Sequence, residues 1–118
     1  SIINERVEKS AHKSKLRGKF DIAMARAVAN TPIISEYLVP LLNKNGQALI
    51  YRGKWSKEEQ KNLTKVLQIL NAKIKSIQKI DLPQNRGERH LLRIISTGIC
   101  PSKYPRKIGL PSKKPLGD

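Results

Sequence analysis

The chain has 118 residues and carries 24 Lys and Arg side chains against 9 Asp and Glu side chains, a formal net charge of +15. This excess indicates a polyanionic partner, most often a nucleic acid, with a solvated basic surface as the alternative. The single cysteine, Cys100, excludes an internal disulfide and a cysteine-built zinc cluster and fits a reducing compartment. No apolar run approaches the ~20 residues of a membrane span and no signal peptide is evident, so we expect a cytoplasmic protein without membrane or metal contacts.

Residues 1–3 are typical of the end of a strand, and Asn4 is a suitable cap for a helix that Gly18 ends. The apolar segment 20–29 predicts a buried strand.

Residues 31–46 predict one helix, because apolar side chains repeat there at helical spacing. Thr31 is its cap, and Pro32 occupies the first turn, where a missing N–H costs nothing. Pro40 should kink or shorten the helix, and Gly46 should end it with a turn.

The second half of the chain predicts three more strands, at 47–53, 73–82 and 88–96. A helix between the first two of these begins with a capping box made by Ser56 and Glu59. Its inner stripe consists of Leu63, Val66, Leu67 and Leu70. The first strands should pair in parallel, through right-handed crossovers, and the last two in antiparallel. So small a sheet cannot cover both of its faces, which indicates half of a doubly wound α/β domain.

The end of the chain has a different composition. Residues 104–118 contain three prolines separated by basic side chains, so this stretch should run extended or turn. We expect it to lie along something acidic rather than in a core. The predicted division is therefore a domain at 1–98 and a basic tail at 99–118.

The chain resembles the ribosomal RNA small subunit methyltransferase G family, also called glucose-inhibited division protein B. The similar blocks are "NERVEKSA…FDIAMARAVA", "QALIYRGKW", "LPQNRGERHLLRI" and "YPRKIGLPSKKPLG", in the family's order. The resemblance implies the C-terminal half of a Rossmann-like class I methyltransferase fold, with parallel strands, a C-terminal antiparallel hairpin, and the first half of the sheet missing. It implies transfer of a methyl group from S-adenosylmethionine to N7 of a guanine in small-subunit (16S) ribosomal RNA.

The resemblance also assigns residues. Val7 and Glu8 match family positions that contact the adenine of the cofactor, and Arg26 would pair with the carboxylate of its methionine moiety. No glycine-rich nucleotide loop is present, because the seven glycines are scattered and none opens a helix after a first strand. The isolated chain is therefore expected to be inactive, and the full-length protein is expected to be a monomer.

Basic side chains form the expected RNA-facing set. It comprises Arg52, Lys54, Arg86, Arg89, Arg106, Lys107, Lys113 and Lys114. Arg52 departs from the lysine that is common in the family, and Trp55 is either a base-stacking or a core aromatic. Phosphate neutralisation by such a set gives affinity and salt dependence. The alternative to a methyltransferase fragment is a non-catalytic RNA-binding module or split-gene remnant, and the tail either contacts RNA or docks on the sheet.

Overall fold

The computed structural model describes residues 18–26, 31–81, 83, 87–106 and 110–116. Its elements are β1 (Phe20–Arg26), α1 (Thr31–Leu38), a 3-10 helix (Val39–Leu41), β2 (Leu42–Arg52), α2 (Lys57–Ile69), β3 (Ala72–Asp81), β4 (Glu88–Ser96) and α3 (Leu110–Lys113). The strand and helix predicted before Gly18 lie outside the described residues. None of the helices in the described part of the chain has the length and apolarity that crossing a membrane requires.

The strands form one four-stranded mixed sheet in the order β1-β2-β4-β3. β1 pairs with β2 in parallel, and β4 pairs in antiparallel with both β2 and β3. The predicted α/β fold is confirmed, with its parallel pair and its antiparallel C-terminal hairpin. β4, the last of the described strands in sequence, lies inside the sheet, and β3 forms one of its edges.

One face of the sheet carries the core. Ile50 of β2 and Leu92 of β4 have no exposed surface, and Leu38 of α1 belongs to the same buried cluster. The inner stripe of α2 completes the cluster as predicted, with Leu63, Val66, Leu67 and Leu70 all fully buried. Ser56 and Glu59 form the predicted capping box, which fixes where α2 begins after β2.

The opposite face stays open to solvent. Side chains alternate between the two faces of a strand, so Ile22, Met24, Leu49 and Tyr51 point away from the core. Ile22 is 57% exposed, Met24 58% and Tyr51 42%. The described part of the sheet is therefore covered by α1 and α2 on one face only.

The single helix predicted over 31–46 is wrong beyond residue 38. Pro40 has no N–H for an α-helical hydrogen bond, and the chain passes through the 3-10 helix into an extended conformation at Leu42. Gly46 lies inside β2 instead of in a turn. A Cβ at Gly46 would come within 2.7 Å of the Phe20 carbonyl oxygen, so glycine is needed because β1 passes so closely.

The tail packs more closely than its composition predicts. Tyr104 is 7% exposed and belongs to the core cluster under the sheet, and Pro105 and Pro111 are also buried. Four residues from Leu110 to Lys113 form the single helical turn α3, where an extended or turn segment was expected. Proline at the second position of a helix costs no hydrogen bond, which is why Pro111 does not prevent this turn.

Candidate functional site

Basic side chains gather at one edge of the sheet. Arg26 ends β1 and is the register partner of Tyr51, and Arg52 ends β2 and is the register partner of His90 near the start of β4. The carboxyl ends of the parallel strands therefore meet the beginning of β4. We call this the basic edge, and it consists of Arg26, Arg52, Lys54 and Arg89. In open α/β sheets, ligands bind outside the carboxyl ends of the strands.

Arg26 is exposed at this edge. It alternates with Met24 and so leaves β1 on the open face of the sheet. Within the described part of the chain no acidic side chain pairs with it. A guanidinium so placed can bind a carboxylate or a phosphate in bidentate fashion.

Arg52 leaves β2 on the opposite face, toward α2. Its Nη2 donates to Oε1 of Glu59 at 3.0 Å, and its side chain is 21% exposed. The other carboxylate oxygen of Glu59 accepts a hydrogen bond from the backbone N–H of Ser56. One acid therefore caps α2 and orients Arg52, and Arg26 and Arg52 point to different faces of the sheet.

His90 ties β4 to the segment that follows β2. Its Nδ1 donates to the Gly53 carbonyl oxygen at 2.6 Å, and the ring is buried. This bond fixes the chain just before Lys54, which is exposed, and Trp55. Trp55 packs against the core cluster, as the core alternative for this residue predicts. Its buried indole N–H makes no hydrogen bond within the described part of the chain.

The tail lies against α1. Glu36 is buried in α1, with 1% of its side chain exposed, and it pairs with Arg106 at 2.9 Å. This hydrogen bond is the main reason that the pKa of Arg106 lies above its ordinary value. Arg106 also donates to the Lys114 carbonyl oxygen, so it joins two parts of the tail to one helix.

The remaining predicted residues are distributed as follows. Lys113 and Lys114 are exposed on the tail, and Arg89 is exposed on β4. The residues that lie outside the described part of the chain are Val7, Glu8, Arg86 and Lys107. The structure therefore brings Arg26, Arg52, Lys54 and Arg89 to one edge and places Arg106 in an ion pair instead.

Other features of the described residues are separate from the basic edge. A cavity of about 700 Å³ is lined by Gly18, Pro40, Leu42 and Cys100, among others, at the opposite end of the parallel strands. The basic edge carries the charge and the strand ends, so we assign the site there rather than to the cavity. The described residues include no group of three or more His, Cys, Asp or Glu side chains placed to hold a metal ion.

Comparison with known families decides the class of the chain. The model of the rRNA small subunit methyltransferase G family matches residues 1–92. The chain belongs to this family. The match includes the whole basic edge: Arg26 and Arg52 at the ends of β1 and β2, Lys54, and Arg89 at the start of β4. The basic edge therefore lies within the part of the chain that the family model matches.

Curated members of the family are similar over nearly all of the chain. A ribosomal RNA small subunit methyltransferase G from Synechococcus sp. (strain CC9902) is 49% identical over 117 residues, which cover 99% of this chain and 48% of the relative. The relative from Synechococcus sp. (strain CC9311) is 53% identical, and the match covers 97% of this chain and 45% of that relative. The relative from Prochlorococcus marinus (strain MIT 9215) is 49% identical, and the match covers 98% of this chain and 48% of that relative. The chain spans about half the length of the curated relatives that it matches.

A solved structure is similar at the level of the backbone. The crystal structure of the M1.HpyAVI–SAM complex has a TM-score of 0.48 and 16% sequence identity, over 66% of this chain and 45% of that one.

Three residues of this chain have roles that the sequence did not indicate. Glu36 binds the tail, Glu59 holds Arg52 in addition to capping α2, and His90 anchors the Gly53 carbonyl. Glu36 looks like a solvent-facing position in sequence, because an acid within a helix is seldom fully buried. In the structure its neighbours Ser35 and Tyr37 are buried as well.

Proposed function

We propose that this chain is part of an S-adenosylmethionine-dependent enzyme that methylates N7 of a guanine in small-subunit (16S) ribosomal RNA. The observation that carries the proposal is the match to the rRNA small subunit methyltransferase G family over residues 1–92. The +15 charge and the basic edge support an RNA substrate. Since the chain spans about half of its relatives, the complete activity needs the rest of the protein.

Methylation of guanine N7 requires little acid–base chemistry from protein side chains. Guanine N7 carries a lone pair and no proton, so its methylation requires no general base. When bound, S-adenosylmethionine would supply an electrophilic methyl group on a positively charged sulfur, and its transfer to N7 would release S-adenosylhomocysteine as the neutral leaving group. The contribution of the protein is then positioning and electrostatics, which suits an edge with exposed cations.

Arg26 fits a contact with the cofactor. It is exposed at the end of β1 and unpaired by any acid among the described residues, so its guanidinium is available for the methionine carboxylate. Val7 and Glu8 are proposed for the adenine on the resemblance alone. We propose Arg26 as the residue of this chain that contributes most to cofactor affinity.

The RNA contacts are proposed for the exposed cations. Lys54 and Arg89 at the basic edge and Lys113 and Lys114 on the tail are exposed, and phosphate neutralisation needs exposed cations. Arg52, Arg86 and Lys107 belong to the same proposal. Arg106 has Glu36 as its partner, so we expect it to contribute least of the set.

A methyl-transfer assay tests this function. The chain would be joined to the part of the Synechococcus sp. (strain CC9902) relative that lies outside the matched segment and supplied with labelled S-adenosylmethionine and 16S ribosomal RNA. We expect labelled 7-methylguanine after nuclease digestion. A matched transcript in which 7-deazaguanine replaces guanine has no N7 lone pair and should take no label. Label that persists on the 7-deaza transcript would overturn N7 as the acceptor, and label on neither would overturn the enzymatic function.

A second candidate is a non-catalytic RNA-binding module. The observation that favours it is the combination of the +15 charge with a chain of half the family's length. This candidate predicts that the isolated chain binds RNA with an affinity that falls steeply with salt and does not change when S-adenosylmethionine is added. RNA affinity that is indifferent to salt would exclude it.

A further inference from the structure

The outer face of α2 carries three lysines in a line. Lys57, Lys61 and Lys65 are spaced four residues apart, and all three are exposed. Residues at this spacing lie one above another on the same side of a helix. Each residue of an α-helix rises about 1.5 Å, so the line is about 12 Å long. We call these three residues the lysine row, and the inner stripe of α2 faces the core on the other side of the helix.

The stability of α2 does not explain the lysine row. Like charges four residues apart destabilise a helix. Lys57 is the first residue of α2, where the helix dipole disfavours a cation, whereas the last turn, where the dipole favours one, has no basic side chain. Among the described residues no acid forms an ion pair with the row, because Glu58 makes none and Glu59 pairs with Arg52. These positions are better explained by an anionic partner.

Polar side chains fill the spaces between the lysines. Gln60, Thr64 and Gln68 are exposed on the same face of α2. Lysine, glutamine and threonine side chains are common contacts of nucleic-acid phosphates and sugars. The Thr64 hydroxyl donates to the Gln60 carbonyl oxygen, so its lone pairs remain available to accept from a ribose 2′-hydroxyl. A shallow depression of about 420 Å³ on this face is lined by Lys57, Gln60, Lys61 and Thr64.

The lysine row begins beside the basic edge. Lys54 of the basic edge lies three residues before Lys57 in the chain. The capping box of Ser56 fixes the start of α2 between them and so fixes the direction of the row. α2 then leads back to the opposite end of the sheet, where β3 begins. The basic edge and the lysine row therefore form one cationic track that a polyanion can follow.

Other exposed lysines lie away from this track. Lys73 and Lys75 are on β3, an edge of the described sheet, where lysine disfavours pairing with other chains. β2 and β3 both begin beside the end of β4, so Lys44, Lys73 and Lys75 lie toward the end of the sheet opposite the basic edge. These three lysines are a control set that matches the lysine row in number, charge and exposure.

We infer that the lysine row is a second RNA-contact surface, which binds phosphates of the small-subunit ribosomal RNA segment next to the nucleotide at the basic edge. The basic edge would receive the methylated nucleotide, and α2 would hold the adjoining backbone. Contacts to phosphates add affinity and salt dependence and do not read the base sequence. The identity of the RNA rests on the proposed function, whereas the anionic partner of the row rests on the geometry of α2.

Lysine acetylation tests the contact on the unaltered 118-residue chain. The chain would be treated with an N-hydroxysuccinimide ester of acetate, with and without a saturating 16S ribosomal RNA transcript, and peptide mass spectrometry would follow each lysine. We expect bound RNA to slow acetylation of the lysine row by about fivefold or more and to leave the control set unchanged. Equal protection of both sets, an unprotected row or a chain that does not bind the transcript would overturn the inference.

Charge removal tests the same surface from the side of the affinity. Glutamine has nearly the helix propensity of lysine, so replacing all three residues of the row by glutamine should preserve α2, which circular dichroism checks. The slope of log RNA affinity against log salt should fall by about 0.7 to 0.9 for each lysine that neutralises a phosphate. The same replacement of Lys44, Lys73 and Lys75 removes equal charge and should change the slope little. Equal falls for the two variants would contradict the inference.

A vesicle control separates RNA from another polyanionic partner. Vesicles that contain phosphatidylserine present a negatively charged surface to basic helices. We expect them to protect the lysine row from acetylation less than the transcript does. Protection by the vesicles and not by RNA would assign the row to a membrane surface and overturn the inference.

Methyl transfer by the joined protein separates this inference from the proposed function. With the lysine row replaced by glutamine, the KM for 16S ribosomal RNA should rise by about tenfold while kcat stays within about twofold, because the row does not touch the reacting atoms. Methyl transfer with an unchanged KM would leave the enzymatic proposal standing and overturn the role of the row. Protection of the row by RNA without methyl transfer would leave the RNA surface standing and count against the enzymatic proposal.

Discussion

Arg106 binds Glu36 through three donors, and the carboxylate is almost wholly buried. The backbone N–H donates to Oε2 at 2.7 Å, Nε donates to the same oxygen at 3.1 Å, and Nη2 donates to Oε1 at 2.9 Å. Burying a carboxylate with 1% of its side chain exposed is costly unless the charge has such a partner. The tail is thus attached to α1 through the Glu36 carboxylate, which is almost wholly shielded from water.

The first prediction concerns this pair. Arg106→Ala would remove the guanidinium and leave the buried Glu36 carboxylate with only the backbone N–H of residue 106 as a donor, and breaking a buried ion pair typically costs about 3–5 kcal/mol of folding free energy. We expect a loss of that order in urea unfolding of the 118-residue chain, and a smaller loss for Arg106→Lys, which keeps the charge but not the bidentate geometry. Lys113→Ala is the control, because Lys113 is exposed on the same tail. A loss no larger than that of the control would show that the pair does not stabilise the fold.

The second prediction concerns cofactor affinity. In the joined protein, Arg26→Ala should weaken S-adenosylmethionine binding by roughly 10- to 100-fold, the usual worth of a charge-assisted hydrogen bond. Isothermal calorimetry measures the affinity directly. Arg89→Ala removes an exposed arginine at the same edge and should leave cofactor affinity unchanged. Undiminished affinity in Arg26→Ala would refute the assignment of Arg26.

The third prediction concerns RNA binding by the tail. Replacing Lys113 and Lys114 by alanine should reduce the slope of log affinity against log salt by about 0.7 to 0.9 for each lysine that neutralises a phosphate. Filter binding of the chain to a 16S ribosomal RNA transcript over a salt series gives the slope. Lys73 and Lys75 on β3 are also exposed, and their replacement makes the matched control of equal charge. If the two pairs lowered the slope equally, the tail would have no special place in RNA binding.

The fourth prediction separates the two roles of Glu59. Glu59→Gln keeps an oxygen for the Ser56 N–H but removes the charge that faces Arg52, and we expect a loss of about 0.5 kcal/mol because the side chain is 39% exposed. Glu59→Ala removes both contacts and should cost about 1–2 kcal/mol. Glu58→Gln makes the same charge change one residue earlier, on an exposed side chain, and should be nearly neutral. Equal losses for Gln and Ala would mean that the capping contact is worth little.

The fifth prediction concerns acid pH. Lys79 donates a hydrogen bond to Glu88 across the β3–β4 pair, and this bond is the main cause that lowers the pKa of Glu88 below its ordinary value of 4.5. The folded pKa lies below the unfolded pKa, so the pair stabilises the fold above pH 4.5 and the contribution disappears as the pH falls through the folded value. Carbon-13 NMR of Glu88 should show its titration return toward 4.5 in Lys79→Gln and not in Lys75→Gln. An unchanged midpoint in Lys79→Gln would contradict this account.

The fold could be predicted from the sequence where local patterns and tertiary packing agree. The capping box at Ser56 and Glu59 and the apolar stripe of α2 determine that helix without help from the rest of the chain. The strand predicted at 88–96 has the boundaries that the structure shows. The prediction of a turn at Gly46 failed because an Asn-Gly pair is typical of turns, whereas here the glycine is required by the close approach of β1.

The site could be predicted only in part. Arg26 and Arg52 lie near the carboxyl ends of two predicted strands, and because those strands were expected to pair in parallel, their position at one edge of the sheet was predictable. The partner of each charge was not, because Glu36 and Arg106 are 70 residues apart in sequence and nothing local to either indicates the other. For the same reason the sequence could not separate a tail that binds RNA from a tail that docks on the domain.

The position of β4 between β2 and β3 has a consequence for synthesis. β3 leaves the ribosome before β4, yet β4 is the only described strand with which it pairs. Nascent β3 therefore has no strand among the described ones to pair with until residues 88–96 have been synthesised. The charged side chains of Lys73, Lys75 and Lys79 disfavour pairing of this unpaired strand with other chains. Among the described strands, the one synthesised last is inserted between two earlier ones, and the ion pair of Arg106 with Glu36 can form only after it.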